Sequence, residues 1–85
     1  MENEKEKILE AVYFYFQNQK YKKAIKILKK EIINFPDDVD LLYNLAILYE
    51  SVNEFDKARD FFKKVLELDK NNEDAKKHLE KLINR

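Results

Sequence analysis

The segment Val39-Asp40-Leu41-Leu42-Tyr43-Asn44-Leu45-Ala46-Ile47-Leu48-Tyr49-Glu50-Ser51 is followed, after Val52-Asn53-Glu54, by Phe55-Asp56-Lys57-Ala58-Arg59-Asp60-Phe61-Phe62-Lys63-Lys64-Val65-Leu66-Glu67-Leu68. From Leu41 to Tyr49 only Asn44 breaks the apolar run, which predicts a helix over about 39–51. A helix apolar nearly all round expects neighbours on more than one side. In the second segment Phe55, Ala58, Phe61, Phe62, Val65, Leu66 and Leu68 form a stripe beside a charged face, the pattern of an amphipathic helix over about 55–68. Between them Asn53 tolerates the left-handed conformation that a tight turn needs.

Upstream, the same pair of patterns recurs. Residues 4–17 are apolar at Ile8, Leu9, Ala11, Val12, Tyr13, Phe14, Tyr15 and Phe16, with Glu10 interrupting. Val12–Phe16 has high β propensity. The run nevertheless lacks alternation and turn residues and has helix formers on both flanks, so it reads as helix. Residues 21–34 repeat the amphipathic type, with Tyr21, Ala24, Ile25, Ile27, Leu28, Ile32 and Ile33 apolar and lysines elsewhere. Phe35-Pro36 ends that helix, because the residue before proline is pushed out of the α region. Asp37 or Asp38 then caps the next helix. Downstream, residues 73–84 carry only Ala75, Leu79, Leu82 and Ile83 on one face, as a terminal helix facing water should.

A shift of 34 residues lays Tyr15 on Tyr49, Lys23 on Lys57, Ala24 on Ala58 and Lys29-Lys30 on Lys63-Lys64. Ile8/Leu42, Tyr21/Phe55 and Leu28/Phe62 agree in type. A helix pair repeating at this period is the signature of a solenoid.

Composition excludes much chemistry. The 85 residues hold no Cys, Gly or Trp and one Pro, with 40% charged and 45% hydrophobic. Without Gly there is no phosphate-cradling loop, and without Cys no disulfide, thiolate metal site or Cys nucleophile. Lys+Arg and Asp+Glu are both 17, so no global field draws the chain to nucleic acid or an anionic membrane. The acidic, mixed start Met1–Lys7 is wrong for a signal peptide, and the apolar run to Phe16 is too short to span a bilayer. The expected location is the cytoplasm.

The residues Leu42, Leu45, Ala46, Tyr49, Phe55, Ala58, Phe62, Val65 and Leu66 resemble the packing positions of the tetratricopeptide repeat (TPR) family, with Lys70 where a Pro is common. Ile8, Ala11, Tyr15, Tyr21, Ala24, Leu28 and Pro36 fit a looser first repeat, in which Val12 and Glu31 depart from the pattern. The resemblance implies an all-α, right-handed α-α superhelix. It divides the 1–85 domain into repeats 5–38 and 39–72 and a capping helix 73–85. It also implies a protein-interaction module, not an enzyme and without a cofactor, that binds a partner peptide or helix in its concave groove.

On the first helices the resemblance places Leu9, Tyr13 and Phe16, and Tyr43, Asn44, Ile47 and Glu50, along that groove. The bland alternative is that these side chains cover one another. Asn44 matches one position of a carboxylate-gripping subtype, but Leu9 and Tyr13 stand where Lys and Asn are needed, so no clamp is expected. Lys77 and Lys81 on the last helix are candidates for an acidic peptide end.

Two further readings compete. A homo-oligomer through repeat faces or ends suits so short an array. Weak RNA binding through Lys20, Lys22, Lys23, Lys26, Lys29 and Lys30 is the other, disfavoured by the absence of Arg and of stacking aromatics on that face. His78, with Asp74 one turn before it, reads as a surface pair. Ser51 and the cluster Asp37, Asp38 and Asp40 read as helix-end residues, so no catalytic or metal constellation emerges.

Overall fold

A computed structural model describes residues 3–84. Met1, Glu2 and Arg85, the ends of the expected 1–85 domain, lie outside the described residues. The chain forms α1 (Glu4–Gln17), α2 (Tyr21–Asn34), α3 (Val39–Ser51), α4 (Phe55–Leu68) and α5 (Glu73–Ile83), joined by short turns. Each helix packs chiefly on its neighbours in sequence. The fold is the expected all-α solenoid.

The 34-residue repeat is written in the backbone hydrogen bonds. At the α1–α2 turn Lys20 N–H donates to the Tyr15 carbonyl (2.8 Å) and Gln19 N–H to that of Phe16 (3.0 Å). At the α3–α4 turn Glu54 N–H donates to the Tyr49 carbonyl (2.9 Å) and Asn53 N–H to that of Glu50 (3.1 Å). Both turns are Schellman closures, which require a left-handed residue after the helix. Gln19 (φ 59°) and Asn53 (φ 64°) supply it. Asparagine suits that conformation, whereas Gln19 adopts it at a cost of about 1–2 kcal/mol. Only its register with Asn53 marks it in the sequence.

The other helix starts are capped by side chains. Asp38 accepts from Leu41 N–H at 3.2 Å to open α3, and Asn72 accepts from Ala75 N–H at 2.9 Å to open α5. The last helix therefore begins as a further first helix in the same register. Asn3 does the same for α1, accepting from Glu6 N–H at 2.7 Å. Lys5 then ties the first unit to the second, reaching Asp40 (2.7 Å) and Asp38 (3.2 Å).

The core runs along the inner faces of all five helices: Val12; Ala24 and Leu28; Leu41, Leu42, Leu45, Ala46, Leu48 and Tyr49; Ala58, Phe62 and Val65; Ala75 and Leu82. Helix α3 lies between α2 and α4 and buries six residues, as its all-round apolar sequence requires. Helix α1 has an apolar run of similar character from Ile8 to Phe16 but buries only Val12 fully, leaving Tyr13 and Phe14 exposed. Among the described residues the expected neighbours on several sides are only partly present for α1. It packs mainly against α2, and among the described residues no second flanking helix covers its outer side as α4 covers α3.

The paired aromatics repeat as well. Lys23 lies over the Tyr15 ring at 5.7 Å and Lys57 over the Tyr49 ring at 5.4 Å, the same pair one repeat apart. Such contacts near the surface contribute about 0.5–1 kcal/mol each.

Candidate functional site

Side chains from α1 and α3 converge on a groove of about 280 Å³ lined by Val12, Tyr13, Phe16, Tyr43, Asn44, Ile47 and Leu48. The i, i+3 and i+4 spacings of Tyr13/Phe16 and Tyr43/Ile47 place each pair on one side of its helix. Buried Val12 and Leu48 make the floor. Tyr13 is 62% exposed at the rim. The volume suits one or two apolar side chains of a partner better than a drug-sized ligand. Larger concavities lie beside Asn53–Lys57 and Gln19–Lys23, each lined almost entirely by consecutive residues of one turn. A third, between α2 and the α3–α4 turn, is lined by Lys22, Ile25, Val52 and Glu54 and carries none of the aromatic side chains that line the α1–α3 groove.

Five sequence-predicted residues, Tyr13, Phe16, Tyr43, Asn44 and Ile47, come together there. Leu9 is half-buried and packs against the core instead of lining the groove. Lys77 and Lys81 are exposed on α5, outside this lining. Asn44 Nδ2 donates to the Asp40 carbonyl one turn back (2.7 Å), so part of its amide is committed to its own helix. Phe16 is held edge-on by Tyr21 at 5.5 Å.

The α5 side of Tyr43 carries an arrangement that sequence reasoning missed. His78 Nδ1–H donates to Glu50 Oε1 at 2.9 Å, and its ring lies parallel to Phe62 at 5.1 Å. Tyr43 meets Phe62 edge-on at 5.8 Å and His78 at 6.2 Å. The partner of His78 is thus Glu50, on another helix, and the expected surface pair with Asp74 is corrected. Helical spacing on α5 alone cannot reveal a bond made across to α3. The cluster fastens α5 to α3 and fixes the Tyr43 wall of the groove.

Burial pushes the Tyr43 hydroxyl above its ordinary pKa of 10.0, and the negative charges of Asp74 and Glu50 push it the same way. The Lys5 ammonium is likewise raised above 10.5, first by its hydrogen bond to Asp40, with burial opposing and Asp38 adding. Both groups hold their protons more tightly folded than unfolded. Their contributions are complete below the unfolded values and are lost as pH rises through the folded ones. Stability is expected to fall above about pH 10, and Tyr43→Phe to flatten that decline, which urea melts across the alkaline range would measure.

Among the described residues, no group of three His, Asp or Glu side chains is placed to hold a metal ion, and no helix is long and apolar enough to cross a membrane.

Stacked helix pairs with repeated turns and an open groove along the first helices define a helical-repeat interaction domain. The tetratricopeptide repeat family model matches residues 15–82, and the chain belongs to that family. It is 30% identical over 57 residues to a TPR repeat-containing protein of Methanocaldococcus jannaschii, a match covering 67% of this chain and 18% of that protein. The chain therefore matches about a fifth of that relative's length.

Solved structures of MamA share the fold. A MamA point mutant superposes with a TM-score of 0.81 at 24% identity, over 93% of this chain and 58% of that one. MamA AMB-1 gives 0.80 at 25% identity, over 91% of this chain and 42% of that one. As a TPR protein the chain is a protein-interaction module in general character.

Proposed function

We propose that the chain is a cytoplasmic, non-enzymatic adaptor that holds a partner's peptide or helix in the α1–α3 groove. In this reading the units are 5–38, 39–72 and the closing helix 73–85. Tyr13, Phe16, Tyr43 and Ile47 grip apolar anchors, while Asn44 offers its remaining polar capacity. Leu9 supports the α1 wall from behind, and Lys77 and Lys81 flank the path on α5. The observation that supports it is convergence: an open apolar groove with two tyrosines, built from two helices that a shift of one repeat superposes. Aromatic anchors in such clefts carry a large share of binding energy.

The test is a pull-down from source lysate with the native chain and with Tyr13→Ala/Ile47→Ala, both checked for helicity. Tyr43 is spared because it also rests on Phe62 and His78. A partner captured by the native chain and lost by the variant supports the groove. Equal capture by both moves the site elsewhere, and recovery of the bait alone favours assembly of identical copies.

A further inference from the structure

Helix α2 carries Lys22, Lys23, Lys26, Lys29 and Lys30, with Lys20 at its N-cap, and all six are exposed. At about 100° per residue, Lys22, Lys26, Lys29 and Lys30 gather on the outward face and the helix's one acid, half-buried Glu31, falls away from it. Among the described residues no ion pair joins any of these six lysines to an acid. Helix α4, one repeat on, is built otherwise. There Asp56, Asp60 and Glu67 interleave with lysines, Arg59 pairs with Asp56 at 2.7 Å and Lys64 reaches Asp37 at 3.9 Å. The chain's zero net charge therefore conceals an unneutralised basic face on one helix.

On the same side of α2, one turn past Lys30 near the helix C-terminus, stands Ile33, at 79% the most exposed large apolar side chain among the described residues. Its counterpart one repeat on is Glu67. Half-exposed Phe35 follows just past the helix end.

We propose that the outward face of α2 docks on an anionic lipid bilayer. Lysines are flexible point charges suited to a diffuse field of headgroups, whereas discrete carboxylates and phosphates are better gripped by the arginine fork, which this face lacks. Ile33, just past the lysines, can enter the acyl boundary with half-exposed Phe35 beside it, whereas that single ring, past the helix end, falls short of the row of stacking aromatics a nucleic-acid strand uses. The lysines spread along the length of one helix, and only those at its N-terminal end, Lys20, Lys22 and Lys23, border open concavities. Each lysine near such a leaflet raises partitioning about fivefold.

The experiment is co-sedimentation of the full chain with vesicles of phosphatidylcholine alone or with phosphatidylserine added, at low and high salt. The native chain is expected to bind only the serine-lipid vesicles and to be released by salt. Lys26→Glu/Lys30→Glu is expected to weaken binding about tenfold or more, and Ile33→Ser severalfold. All three positions are exposed, so circular dichroism should be unchanged. A native chain left in the supernatant at low salt overturns the proposal, as does native-like binding by either variant. Tighter binding to poly(U) than to the vesicles at the same salt overturns it in favour of RNA.

Discussion

Phe62→Ala is expected to unfold a large fraction of the chain at ordinary temperature. Phe62 is fully buried at the middle of α4, with the His78 ring stacked on it and Tyr43 against its edge. Truncating a buried phenylalanine costs about 3–5 kcal/mol, from lost burial and the cavity left behind. Small domains have total stabilities near the lower end of about 5–15 kcal/mol, so this one ring accounts for much of the margin. Urea melts followed by circular dichroism would measure the loss. Phe62→Leu, which refills most of the space, should recover much of it. A loss for Phe62→Ala below about 1 kcal/mol would show that α5 is not held through this stack.

Ala58→Leu should destabilise by about 1–3 kcal/mol through the opposite defect. Ala58 is fully buried in the first turns of α4, and Ala46 of α3 is equally closed to solvent. Small residues there let the two helix backbones approach, and three added carbons force them apart. Ala24→Leu, one repeat earlier, should behave in the same sense. Thermal melts would register each as a fall in Tm of several degrees, roughly 4–8 °C per kcal/mol for a domain this size. An unchanged Tm for Ala58→Leu would refute close approach at that point.

The helices were legible because most of their boundaries have a local cause. Phe35-Pro36 stops α2, Asp38 and Asn72 cap α3 and α5, and Asn53 closes the α3–α4 turn. Gln19 was not legible, because nothing in glutamine itself favours a left-handed backbone. Periodicity brought Tyr13, Phe16, Tyr43, Asn44 and Ile47 to one face, and the structure joins them. It could not separate Leu9 from that group, since whether Leu9 lines the groove or packs behind it depends on how α1 leans on its neighbours. The outward exposure of Tyr13 and Phe14 has the same origin: hydrophobicity states a helix's demand for neighbours, not whether they are met. Glu50 and His78 lie outside any helical spacing, so their bond waits on the packing of α5.

Because each helix meets chiefly the helix before and after it, few distant parts of the chain must find one another during folding. Chains of this kind close short loops first and fold fast, since little entropy is spent before contacts form. Order can spread outward from the α3–α4 pair, where the core is most complete. In the native state the same topology sets a gradient of opening, with α1 and α5 coming loose more readily than the centre. The groove borrows one wall from each regime, a firm one from α3 and a yielding one from α1. A partner seated there would be gripped from one side and accommodated from the other.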